Sequence, residues 1–215
     1  LTPRFTIERQ IGAGGMATVF LARDERNERP VALKVLREGA EAAAGLERFE
    51  REIKLLARLQ HPLILPLHDS GVAADAMYFV MPFVDGMTLR DRLNREKQLS
   101  VEATIEITQQ VADALAYAHS KGVIHRDIKP DNILIERGSG RALVTDFGIA
   151  RAIDDVNASS PGRVAGTPRY MSPEQARGEA VDGRSDLYAL GAVAYFALTG
   201  HPPIDGESAA AVFTR

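Results

Sequence analysis

Strand-like runs of apolar and polar positions occupy residues 5–13 and 16–23, joined by Gly14 and Gly15. Residues 24–30 turn the chain into a third such run, 31–36, so a three-stranded meander is expected. The period then changes. Leu46, Phe49, Ile53, Leu56 and Leu59 recur at steps of 3, 4, 3 and 3, which gives a helix one apolar face. After His61-Pro62, the runs 64–68 and 77–80 read as strands four and five, with 69–76 as the loop between them. Thr88, with Asp91 three residues later, caps a short helix from 89 to about 97. Ser100 caps a long one whose buried face is Ile107, Val111, Leu115 and Ala118 and which Gly122 ends. The apolar runs 133–135 and 142–145 flank a glycine-containing polar turn and read as a hairpin. Residues 148–173 are polar without sustained periodicity. From Asp186 to Leu198 the chain is apolar almost all round, the pattern of a buried central helix.

Composition narrows the class. The 215 residues suffice for one large domain or two lobes. A net charge of −3 without basic runs gives no reason to expect nucleic acid or a membrane surface as partner. With no cysteine, disulfides, thiolate zinc sites and a catalytic thiol are excluded, and a reducing compartment fits. No stretch of eighteen apolar residues occurs, and the chain opens Leu1-Thr2-Pro3-Arg4 without a signal-type segment or initiator methionine, so a piece of a longer protein is expected.

Chemistry gathers at residues 125–132, His-Arg-Asp-Ile-Lys-Pro-Asp-Asn, where Asp127, Lys129 and Asn132 stand within six positions of a loop. Fourteen residues past Asn132, at the far end of the hairpin, comes Asp146-Phe147-Gly148. Folding the hairpin brings Asn132 and Asp146 together, a carboxamide and a carboxylate supplying hard oxygen ligands for Mg²⁺. Asp127 stands near enough to take a proton from an incoming hydroxyl. At the other end of the chain, Gly12-Ala13-Gly14-Gly15 has strand-turn-strand context, which excludes a dinucleotide fold needing a helix after the glycines. It is either an ordinary hairpin turn or a backbone that approaches phosphates closely. Lys34 interrupts an apolar strand, as an outward solvated residue or as a charge with a buried partner. Of the glutamates on the 46–59 helix, Glu52 lies nearest the apolar stripe.

These motifs, in this order, resemble the eukaryotic-type protein kinases, in particular the bacterial serine/threonine branch. The resemblance covers essentially the whole chain. It implies an α+β, two-lobed fold, a five-stranded antiparallel sheet plus helix over a mainly helical lobe. It implies ATP with Mg²⁺, or Mn²⁺ in its stead, held at Asn132 and Asp146. The catalytic residues it implies are Asp127 as base, Lys129 on the phosphoryl group in transit, and Lys34 on the phosphates, paired to Glu52. The nucleotide would lie against Ile11, Gly12, Ala13, Gly14, Gly15, Val19, Ala32 and Leu134, and along a hinge where Met81 is gatekeeper and Pro82 and Val84 present backbone groups. Ala17, Pro82 and Ser172 depart from the glycine, glutamate and alanine usual at those places. Lys129 and Thr167 mark serine and threonine as acceptors. Arg126 is the feature that couples the 148–173 segment to a phosphate, with Ser159 and Ser160 as the expected phosphorylation sites. His125 is expected to pack under Phe147, His119 to be structural, and Asp186 to cap the 125–132 loop from below.

The implied organisation is a small lobe over 1–81, a hinge over 82–86 and a large lobe over 87–215 that stops after the central helix. On that reading Glu174 lacks an arginine partner and one side of the central helix lacks cover, so the fragment is expected to self-associate and to be a weak enzyme. The expected partners are protein substrates; the location is cytoplasmic, as the cytoplasmic part of a membrane-anchored kinase or without an anchor. Two rival readings are a pseudokinase-like binding or scaffolding module, including a fragment inactive through truncation, and a small-molecule phosphotransferase. Retention of Lys34, Asp127 and Asp146 argues against the first, and the Ser172-Pro173-Glu174 segment against the second.

Overall fold

Backbone pairing in the first third of the chain follows the expected meander. The computed structural model describes residues 4–14, 17–36, 53, 56–73, 76–147 and 168–204. Strands β1 (Phe5–Ala13), β2 (Ala17–Asp24) and β3 (Arg29–Leu36) run antiparallel, and β5 (Ala76–Pro82) joins β3. With β4 (Asp69–Ala73) at the edge, the sheet has five strands in the order β1-β2-β3-β5-β4. Inward residues Val31, Leu33 and Val80 bury one face with Phe5 and Tyr78, while Leu36 and Phe79 face Ile53 and Leu56. Of the expected 46–59 helix, Ile53 and Leu56 are described as helical, and the Ala57 N–H donates to Ile53 O at 2.8 Å.

Strand four lies later than its apolar run suggests. Residues 64–68 are not a strand: Leu65 N–H and Val144 N–H reach across to Val144 O and Leu63 O, at 2.9 Å each, and buried Ile64 joins the lower core. The ladder with β5 is formed by Asp69–Ala73, the stretch expected to be a loop. Its polar, glycine-containing sequence has a packing cause. A Cβ on Gly71 would stand 2.6 Å from the Tyr78 hydroxyl, so only glycine lets the Tyr78 ring cross the strand.

Below the sheet, β6 (Gly86–Thr88), β7 (Ile133–Glu136) and β8 (Ala142–Val144) form a second, three-stranded sheet. Helix α1 (Leu89–Glu96) begins with the expected capping box between Thr88 and Asp91, and α2 (Val101–Ser120) with Ser100 bonded to Ala103 N. Short 3₁₀ turns cover Pro130–Asn132 and Pro168–Tyr170. They are followed by α3 (Pro173–Ala176) and α4 (Gly183–Thr199). Ile107, Val111, Leu115 and Ala118 of α2 pack with Ala189, Leu190, Val193 and Ala197 of α4 in the larger core. Helix α4 is buried on one side only. Leu187, Tyr188, Tyr195 and Leu198 stand exposed, against the all-round burial its composition suggests and in keeping with the expectation that one side of the helix lacks cover.

A buried carboxylate fastens the end of β1 to its neighbours. Asp24, with no exposed surface, accepts two bonds from Arg4 at 3.2 and 3.0 Å and one from the Asn27 carboxamide at 2.7 Å, while Arg4 also bonds Asp69. Those bonds, Arg4's first, hold the Asp24 carboxyl well below the usual carboxylate range. Its folded pKa is depressed, so the stabilisation is present above the unfolded value near pH 4 and lost as pH falls. Arg4→Ala is therefore expected to destabilise the domain at pH 7 by about 2 to 3 kcal/mol, the worth of a hydrogen-bonded charge pair losing one member. Denaturant melts should show the gap to wild type narrowing as pH falls below about 4.

Candidate active site

The β7–β8 hairpin decides where the polar side chains meet. Ile133 pairs with Val144 and Leu134 with Leu143, and the ladder ends with the Thr145 N–H donating to Asn132 O at 2.9 Å. Asn132 and Asp146 are thereby held at one end, as the sequence predicts.

The 125–132 loop wraps a single carboxylate. Lys129 Nζ lies 2.6 Å from Asp127 Oδ2, and Asn132 Nδ2 donates to Asp127 O at 2.7 Å and to Oδ2 at 3.1 Å. Asp127 and Lys129 are about one-fifth exposed, enough for an incoming hydroxyl to reach them. With its nitrogen used on Asp127, Asn132 keeps its carboxamide oxygen out of those bonds, at the same end of the hairpin as Asp146. Among the described residues no group of three or more His, Cys, Asp or Glu side chains could hold a metal. Two hard oxygen donors fit Mg²⁺, which keeps waters and takes phosphate oxygens to complete its shell.

Loop geometry is imposed from below. His125 is fully buried; its ring sits 4.6 Å from that of Phe147, and its Nε2–H donates to Thr145 O at 2.8 Å. The other ring nitrogen, Nδ1, accepts from Asp127 N at 3.2 Å, which makes the imidazole a strut between the two halves of the site. Asp186, 1 % exposed, takes the N–H of His125 at 2.8 Å and of Arg126 at 2.7 Å. Arg126 has φ +69° and Asp146 φ +63°, a region that L-residues seldom adopt without outside support. For Arg126 the support is Asp186, as expected. His119 adds a bond that sequence reasoning missed, Nε2 to Asp186 Oδ2 at 2.8 Å. Its ring lies so close to Gly183 that a Cβ there would meet Nδ1 at 2.7 Å.

Lys34 reaches the site from β3, where it sits opposite Val19 and Phe79. Its Nζ lies 2.7 Å from Asp146 Oδ1, so it is a partnered charge rather than a solvated one. Glu52, the partner expected for it, lies outside the described residues, as do Gly15, Ser159, Ser160 and Thr167. Met81 is buried opposite Ala32, with Pro82 next along the strand opposite Val31 and Val84 half-buried beyond. Ile11, Gly12 and Ala13 end β1, Gly12 faces Val19, and the Gly14 N–H closes the tip onto Ala17 O at 2.9 Å. Leu134 of β7 pairs with Thr88. Beside Met81, a small recess is lined by Phe79, Asp146 and Phe147 among others.

The segment leaving the site is tied back to it. Gln175 Nε2 donates to Arg126 O at 2.7 Å, and Arg90 bonds both Asp131 and Tyr170. Glu174, expected to miss an arginine, accepts from the Ser185 hydroxyl. Neither Gln175 nor Arg90 was singled out in the sequence, where nothing marks a helix-surface arginine as different from its neighbours.

The protein kinase domain family model matches residues 5–214. The serine/threonine-protein kinase PknB of Mycolicibacterium smegmatis is 45% identical over 219 residues, 99% of this chain and 35% of its own length. The serine/threonine-protein kinase PrkC of Bacillus subtilis is 43% identical over 213 residues, 99% of this chain and 33% of its own. A probable serine/threonine-protein kinase PknB of Lactococcus lactis is 43% identical over 211 residues, 97% of this chain and 34% of its own. The chain thus spans about a third of the length of the relatives it matches.

Proposed function

The chain belongs to the protein kinase domain family, of the kind carried by bacterial serine/threonine-protein kinases, and from that premise we propose that it transfers the γ-phosphoryl group of ATP to serine and threonine hydroxyls of proteins. The observation that carries this reading is the convergence of Lys129 and Asn132 on the Asp127 carboxylate, within a hairpin's width of Asp146. Asp127 accepts the hydroxyl proton as the acceptor oxygen attacks phosphorus. Lys129 neutralises charge on the phosphoryl oxygens in transit. Lys34 orients the α- and β-phosphates, with Glu52 as its further partner, and the backbone of the 12–17 loop covers them. Residues 1–81 act as the small lobe, 82–86 as the hinge and 87–215 as the large lobe; Pro82 and Val84 present backbone groups to adenine, while Ile11, Val19, Ala32, Met81 and Leu134 enclose it.

Asn132 and Asp146 would hold Mg²⁺, or Mn²⁺, whose chemistry here is to neutralise and orient the phosphates. Asp146→Asn should weaken Mg²⁺-dependent nucleotide binding by about tenfold or more, the size of effect seen when metal sites lose a supporting group. A nucleotide titration with and without Mg²⁺ checks this: equal loss in both series would place Asp146 outside metal binding. Arg126 would receive a phosphate on Ser159 or Ser160, ordering the segment through charge-assisted bonds.

Incubation with labelled ATP and Mg²⁺, with and without a generic protein acceptor, tests the function. Phosphoserine or phosphothreonine is the expected product. Nucleotide binding without any transfer would favour a scaffolding module instead. Among the described residues no helix is long and apolar enough to cross a membrane.

A further inference from the structure

Arg90 opens helix α1 and yet points away from water. About three-quarters of its side chain is covered. Its Nη2 donates to the Tyr170 hydroxyl at 2.8 Å and lies 3.2 Å from Asp131 Oδ2, with Nε 3.3 Å from the same oxygen. The guanidinium carbon also lies over two rings, 5.0 Å from the centroid of Phe196 and 5.8 Å from that of Tyr170. One side chain therefore joins α1, the 3₁₀ turn that carries Asn132, the 3₁₀ turn that ends the segment leaving the site, and α4.

The partners explain what the joint can do. Asp131 immediately precedes Asn132, so restraining its carboxylate restrains the turn from which Asn132 holds Asp127. Tyr170 is 4 % exposed and leads into α3, whose Gln175 already bonds Arg126 O. The exit segment is thus stitched to the 125–132 loop at two places, Gln175 on Arg126 and Arg90 between Tyr170 and Asp131. A carboxylate, a phenol oxygen and two ring faces form a site shaped for a planar cation with several donors. An ammonium could satisfy the carboxylate and could not span to the phenol while stacking on the rings.

We propose that Arg90 is a positioning residue for phosphoryl transfer: its guanidinium fills a built cation site between the two 3₁₀ turns and thereby sets the acceptor-side segment in register with Asp127. The proposal rests on the kinase reading. It assigns Arg90 no contact with nucleotide, so its removal is expected to act on the acceptor far more than on ATP, which also has Lys34 and Asp146 to hold it. It also implies that the vacated site takes a free guanidinium ion from solution.

Steady-state kinetics of the protein with ATP and a protein acceptor, with wild type and Arg90→Ala side by side, test it. The variant is expected to lose about tenfold or more in kcat/KM for the acceptor, the worth of the charged hydrogen bonds removed, while KM for ATP changes by less than about twofold. Ethylguanidinium should restore much of the loss, and sodium chloride at equal ionic strength should not. Arg90→Lys keeps the charge without the fork and should recover only part. Ethylguanidinium should also raise the Tm of Arg90→Ala and not that of wild type, a readout that needs no turnover. Tyr170→Phe, which removes one oxygen, should give a smaller acceptor defect that guanidinium does not repair. Unchanged acceptor kinetics in Arg90→Ala, an equal loss in KM for ATP, or a defect and Tm indifferent to guanidinium would each overturn the proposal. Wild-type protein that transfers no phosphoryl group would overturn the kinase reading, and the Tm titration would then decide the cation site by itself.

Discussion

On the proposed reading, asparagine in place of Asp127 is expected to lower phosphoryl transfer by roughly 10²-fold or more, the usual worth of a positioned general base, and to leave nucleotide affinity nearly intact. The carboxamide keeps the shape and can still meet Lys129 and Asn132, which approach Oδ2 at 2.6 and 3.1 Å. What it cannot do is take the hydroxyl proton. Nor does it balance Lys129, whose charge would then be aimed less sharply at the phosphoryl oxygens. Single-turnover transfer measured beside nucleotide titration separates the two effects, and comparable turnover in the variant would remove Asp127 from its role. The contrast with Asp146→Asn is the useful control, since that change is expected to act on Mg²⁺-dependent binding first.

Asp186→Ala has the largest expected effect on stability. The carboxylate is buried and accepts from three donors, the His125 and Arg126 backbone N–H groups and the His119 ring. Alanine strands two backbone donors in the core, each costing about 1 to 3 kcal/mol. It also frees Arg126 from the φ of +69° that the bond to Asp186 supports. A loss of about 3 to 5 kcal/mol is expected, as for other buried charges stripped of a partner set, with Tm lower by roughly 10 °C for a chain of this size. Transfer should fall with it even below the melting range, because Asp127 follows Arg126 directly. A variant that melts with wild type would show that the loop is held by the His125–Phe147–Thr145 contacts alone.

The side chains of the candidate site were legible because their information is local. Asp127, Lys129 and Asn132 lie within one loop, and Asp146 lies one hairpin away. The capping chemistry of Thr88 with Asp91 and of Ser100 is likewise settled within a turn of the chain. Strand four was misread for a physical reason. In the 64–67 run Ile64 is buried in the lower core and Leu67 packs against Leu36 and Phe79, whereas Asp69–Ala73 pairs through its backbone and takes a glycine to make room for Tyr78. Hydropathy reports which side chains are buried, not which backbone groups are paired. The central helix shows the same limit in reverse, since its apolar residues stand on both a buried and an exposed side.

The sequence by itself determined the family resemblance, the first three strands and the fifth, the two capped helices and the 133–145 hairpin, and the residues whose chemistry suits phosphoryl transfer, because periodicity, capping and motif spacing all act over short stretches of chain. Only the tertiary structure decided the pairings that join distant stretches: Lys34 with Asp146, His119 with Asp186 across 67 positions, and Arg90 with Asp131 and Tyr170 across 41 and 80. Each of these is a charged or polar side chain that could have been solvated where it stands. Burial withdraws water from it, and the group that then satisfies it is whichever the packing of the two sheets and helices brings within about 3 Å, a distance that no local pattern encodes.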